Sequence, residues 1–152
     1  MCWKKYAFCL SLSEPRIVWV DGCVPAAVAD ITLFRGGTVE DGEGNWDRGA
    51  LYFHIPKGKR VIADDGLAGE PDKITIASPA LPTPVKNYIS DAKSRQETMH
   101  TRLKSFNILR HRFRHGSGTE EKMALHKSVV EALCVVIQYD YENGHPPFDM
   151  MH

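Results

Sequence analysis

With 152 residues, 43 % of them apolar and 25 % charged, the chain has the make-up of a folded globular protein and length for one domain. Nineteen basic residues balance nineteen acidic ones, which excludes a uniformly basic nucleic-acid binder but not a local basic patch. No apolar run approaches the roughly 18 residues of a membrane span, and the opening MCWKKYAFCLSL has too short and broken an apolar stretch for a secretory signal.

The first element is predicted from alternation. Tyr6, Phe8, Leu10 and Leu12 point one way and Ala7, Cys9 and Ser11 the other, the period of two of a strand. Ser13-Glu14-Pro15-Arg16 is a turn, and Ile17–Val20 before Asp21-Gly22 is the returning arm of a β-hairpin. A short helix is expected over 26–35, stopped by Gly36-Gly37, and then an acidic loop or helix start over 40–47. Pro56-Lys57-Gly58-Lys59 is a turn into a buried strand, Arg60–Ala63, which ends at Asp64-Asp65-Gly66, and a weak strand follows over 73–77. Prolines 79, 82 and 84 are expected to forbid regular structure until about residue 86. From Lys86 to Phe113 the stripe Ile89, Ala92, Gln96, Met99, Leu103, Phe106 predicts a helix with one face in a core. A second, strongly apolar helix is predicted over 120–142, capped by Ser117 or Thr119 and ended by Gly144 and Pro146-Pro147. The four cysteines, at 2, 9, 23 and 134, form no C-x-x-C pair, so zinc-ribbon and thioredoxin readings fail and buried, reduced thiols are expected.

Charge is segregated beneath the neutral total. Residues 86–115 carry eight Lys/Arg against Asp91 and Glu97, whereas 1–85 and 116–152 are net acidic. Such a run is either a solvated helix face or a footprint for nucleic-acid phosphates. Glu97 stands alone among the bases, about 160° around the helix from Met99 and so away from the apolar stripe. It either pairs with Lys93 at i,i+4 or serves as a hard oxygen ligand for a divalent cation. Asp64, placed at the end of a short strand, is a turn residue or a second such ligand, and two-metal nucleases need carboxylates at such positions. His111 and His115 are spaced for a metal, but flanking arginines repel a cation. No G-x-S-x-G elbow is present to support a serine nucleophile.

Four blocks in order carry a family resemblance. VIADDGLAGEPDKI (61–74) resembles V-I-A-D-x-G-Y-x-G-E-P, and RQETMHTRLKSFNILRHRFRH (95–115) resembles a glutamate followed by an R-L-K-x-F…R-F-R-H run. IVWVDGCVPAAVADITLFR (17–35) and HKSVVEALCVVIQYDYENGHPPFD (126–149) are similar to the W-V-x-G…D-x-x-x-F-R and E-N-G-x-P-L-F stretches of that family. They are marks of the DDE superfamily endonucleases, the transposase-derived proteins of the PIF/Harbinger and IS5-like type.

The resemblance implies an α/β fold: a single partial RNase H-like domain over 1–152, a mixed β-sheet with flanking helices, and a first strand that is missing. It implies DNA strand cleavage and transfer with Mg²⁺ or Mn²⁺ held by three acids, of which Asp64 matches the second and Glu97 the third. Arg102, Lys104 and Arg112 match the family's basic run and would hold DNA phosphates without sequence preference, joined by Lys93, Arg110 and Arg114 of the basic block. Asp30 matches a recurrent aspartate whose expected task is a cap or turn. The first acid has no counterpart, Asp21 being a poor substitute, so the chain is expected to be inactive alone and to need a carboxylate from another copy or a partner subunit. Leu67, Cys23, Ala27 and Pro147 depart from the pattern. A nuclear, otherwise cytoplasmic, and not secreted protein is implied. The alternative is a domesticated DNA-binding or protein-interaction remnant that uses the basic helix 86–115.

Overall fold

The computed structural model describes residues 4–110 and 116–146. The chain is a mixed α/β protein made of two compact units, Met1–Pro25 with Ser94–His152, and Ala26–Lys93.

In the first unit the alternating segment forms the predicted hairpin. Strand β1 (Lys4–Leu10) pairs antiparallel with β2 (Ile17–Pro25), with Phe8 opposite Val20 and Cys9 opposite Trp19. β2 runs past the predicted stop at Gly22 because a bulge absorbs the turn signal: Lys5 faces Val24 and Tyr6 faces Gly22, leaving Cys23 as the extra residue at φ 65. Tyr6, Phe8 and Leu10 lie against two helices, the later part of α3 (Thr83–Ser105) and α5 (Thr119–Glu142). Met99, Leu103, Val130, Cys134, Ile137 and Tyr141 form the buried centre. Gln138 of α5 fastens the hairpin turn, accepting from the Ile17 N–H at 2.8 Å and donating to the Pro15 carbonyl at 3.3 Å.

Helix ends differ from expectation for local reasons. Neither Ser117 nor Thr119 caps α5 through its side chain; Gly118 is the N-cap, and Glu121 instead reaches back to accept the Ser117 N–H at 2.7 Å. The predicted continuous helix to 113 stops at Ser105, whose hydroxyl donates to the Arg102 carbonyl at 2.6 Å. A short α4 (Asn107–Arg110) follows, and residues 111–113 lie outside the described residues.

The second unit holds α1 (Asp30–Arg35), a 3₁₀ turn at Glu43–Asn45, α2 (Leu51–His54), and the parallel pair β3 (Val61–Ile62) and β4 (Ile74–Thr75). α1 starts four residues later than predicted, at Asp30, and ends as predicted where Gly36 turns left-handed. Phe34, Ile55, Ala63 and Ile74 are its buried core. Proline does not delay α3 to residue 86. Pro82 supplies the carbonyl that accepts the Val85 and Lys86 N–H groups, and Pro84 sits in the first turn, where a missing N–H costs nothing. Among the described residues the strands form two separate two-stranded pairs, not one mixed sheet. No described helix is long and apolar enough to cross a membrane.

Cys23 and Cys134 are buried and Cys9 half-buried, all as free thiols; Cys2 lies outside the described residues. Burial, with Glu131 nearby, pushes the Cys134 thiol up to about 11, so it stays protonated and packs as a small apolar group.

One half-buried polar contact couples the first unit to pH. Tyr6 Oη lies 2.6 Å from His126 Nδ1 with the rings stacked at 5.6 Å. Burial raises the phenol's pKa, so Tyr6 donates and a neutral His126 accepts. Burial first, then Lys4, holds His126 below its ordinary value. A depressed histidine binds its proton more readily when unfolded, so its contribution is complete above about pH 6.5 and is lost as pH falls through the folded value. Acidification from pH 7.5 to 5 is expected to lower the melting temperature, and His126→Gln to reduce that slope, both read by circular dichroism.

Candidate functional site

The best-defined polar feature in the second unit is the end of β3. The Ala63 N–H completes the pairing with the Thr75 carbonyl at 3.0 Å, and the chain then leaves the pair at Asp64. The Asp64 carbonyl accepts the Leu67 N–H at 3.0 Å, starting a 3₁₀ turn over Asp65–Leu67. Leu67 tucks toward the Phe34 core, so the Asp64 carboxylate is carried outward, with a side chain 78 % exposed. This is the strand-end acid that the sequence predicts.

Its partner is Lys93. The ammonium Nζ stands 2.6 Å from Asp64 Oδ1, and only 29 % of the lysine side chain is exposed, its stem lying along the protein. The bland expectation for Lys93, a pair with Glu97 one turn on, is therefore replaced by a pair with Asp64. Twenty-nine positions of chain separate these two residues, so no local pattern reveals it. Glu97 is exposed on α3. Asp64 belongs to the second unit and Glu97 to the first.

The other predicted cations divide by task. Arg102 is committed to the fold: its Nη1 donates to Asp140 Oδ2 at 2.8 Å and to the His145 carbonyl at 2.6 Å, its Nη2 to the Pro146 carbonyl at 3.2 Å, and the guanidinium lies over the Tyr141 ring. Lys104 is exposed. Arg110 is exposed too, with Nε donating to the Lys104 carbonyl at 3.0 Å. Arg112, Arg114, His111 and His115 lie outside the described residues. Asp21 accepts the adjacent Gly22 N–H at 2.7 Å within β2, beside the bulge at Cys23. Asp30 opens α1, but no side chain caps that helix.

One pair, Arg35 and Glu70, carries no local signal of a task in the sequence. Arg35 Nε is 2.6 Å from Glu70 Oε1, with side chains only 12 % and 20 % exposed. Both stand in the quoted blocks, in the F-R and G-E-P words, and that shared placement is the one signal that could have pointed to them.

Among the described residues no group of three or more His, Cys, Asp or Glu could hold a metal ion. A closed all-protein cage is therefore not what these residues offer. Asp64 offers an exposed carboxylate at this strand end, and it is paired with the Lys93 ammonium at 2.6 Å. No family model matches the chain, and no curated protein and no solved structure matches it.

Proposed function

We propose that residues 1–152 form part of an RNase H-like DDE nuclease domain, acting on DNA phosphodiesters with Mg²⁺ or Mn²⁺, in which Asp64 and Glu97 are two of three metal-holding acids. The observation that supports this most is the exposed Asp64 carboxylate at the end of β3, neutralised by Lys93. Strand ends are where rigid backbone positions an acid without burying it. When bound, the metal supplies charge stabilisation at the phosphate and a more acidic water. Asp64 and Glu97 would provide oxygen ligands, and Lys93, 2.6 Å from Asp64, would compete with the metal for that carboxylate. Exposed Lys104 and Arg110 contribute sequence-independent phosphate contacts. Residues 1–152 thus supply two of the three acids of this reading, Asp64 and Glu97.

Manganese titration of the full chain, followed by melting temperature, tests this reading. The wild type is expected to gain stability with Mn²⁺ and Asp64→Asn to lose that gain. Lys93→Met removes the competing ammonium and is expected to tighten Mn²⁺ about two- to fivefold, the worth of a part-exposed ion pair. A wild type indifferent to Mn²⁺, or an Asp64→Asn variant that responds like it, refutes the assignment.

A further inference from the structure

Two sequence blocks in the second unit meet at the turn that carries Asp64. From α1, Arg35 reaches Glu70, at the far end of the segment that begins with Asp64. The same guanidinium lies 3.3 Å from where a Cβ on Gly69 would stand, and Gly69 has φ +131, which a larger residue rarely adopts. At the other end of α1, Asp30 Oδ2 lies 3.0 Å from where a Cβ on Gly66 would stand. The two glycines are thus the places where α1 side chains press against the loop. Trp46 covers Arg35 from one side, its ring 5.5 Å from the guanidinium carbon. Gly36 ends α1 directly after Arg35, which fixes the root of that side chain.

We infer that Arg35 is a positioning residue: through its pair with Glu70 it holds the Asp64–Glu70 segment, and so sets the direction of the Asp64 carboxylate. As a statement about metal binding it rests on the reading proposed above. As a statement about the Asp64 turn it does not. Both partners lie mostly out of water, so a lost partner leaves a charge poorly solvated and the segment free to move. Outer residues that orient a ligand typically change metal affinity by 10- to 100-fold.

The test compares Arg35→Gln and Glu70→Gln with the wild type as full chains. Metal-free amide exchange reads two groups in the same unit: the Leu67 N–H, bonded to the Asp64 carbonyl, and the Ala63 N–H, bonded to Thr75. Positioning predicts about tenfold or faster exchange at Leu67 with Ala63 unchanged, and Mn²⁺ affinity reduced about tenfold or more. The double exchange Arg35→Glu with Glu70→Arg is expected to restore both. Equal loss of protection at Leu67 and Ala63 marks a merely structural pair and overturns the inference, as does unchanged exchange at Leu67. Selective exchange at Leu67 in a chain whose wild type ignores Mn²⁺ supports the positioning role and refutes the metal reading alone.

Discussion

Met99→Ala is expected to destabilise the first unit by about 3 kcal/mol, within the roughly 2–5 kcal/mol span for truncating a buried methionine. Met99 is fully buried, its side chain surrounded by Leu103 of its own helix and Val130, Cys134 and Ile137 of α5, with the hairpin residues Phe8 and Leu10 closing the cluster. Both long helices and the hairpin lean on this one centre, so relaxation cannot fill the space by moving a single side chain. The variant is expected to melt on the order of 10 °C lower, read at the helical circular dichroism signal. Val136→Ala is the matched control on α5: its side chain is exposed, and a change within about 0.5 kcal/mol is expected. Equal effects at 99 and 136 would place the core elsewhere.

What the sequence reveals and conceals divides along physical lines. Periodicity is local, and the elements it defines appear where expected: Tyr6, Phe8 and Leu10 share a face, and Ile89, Met99 and Leu103 are buried at the predicted helical steps. Ends are harder, because backbone groups rather than side-chain pattern decide them. The carbonyl of Pro82 starts α3 ahead of the expected point, and the hydroxyl of Ser105 sits where the helix stops. The short α2 has too few residues for any period to show. The position of Asp64 was legible because a β-branched run ending in Asp-Asp-Gly marks a strand end. Its ion pair was not, since i,i+4 spacing offered Lys93 the nearer Glu97, and only the fold brings Asp64 to it. Charge type is written in the sequence; charge partner is a property of the fold.

Arg102 carries that distinction furthest. By resemblance it belongs to a basic run that grips DNA, and by composition it is one of eight cations in thirty residues. In the structure its guanidinium makes three hydrogen bonds, one to the Asp140 carboxylate and two to the carbonyls of His145 and Pro146, and covers the Tyr141 ring. These contacts tie α3 to the end of α5 and to the residues that follow it. Three of its five N–H donors are thus engaged, and a phosphate would have to displace a carboxylate and two carbonyls to reach those three. Lys104, two positions on, faces solvent with no such commitment. Arg102→Met keeps most of the apolar stem and removes the fork. Because Asp140 remains about half exposed, the loss is set below that of a fully buried pair, at about 2 kcal/mol, the scale of a charge-assisted hydrogen bond. On the proposed DNA-binding reading, the affinity of the folded variant for DNA is expected to keep the wild-type dependence on salt. Lys104→Met is expected to do the reverse, leaving stability within about 0.5 kcal/mol while flattening the salt slope by about one unit. If Arg102→Met instead flattens that slope at unchanged stability, the clamp opens in solution and Arg102 belongs with Lys104 among the proposed phosphate contacts.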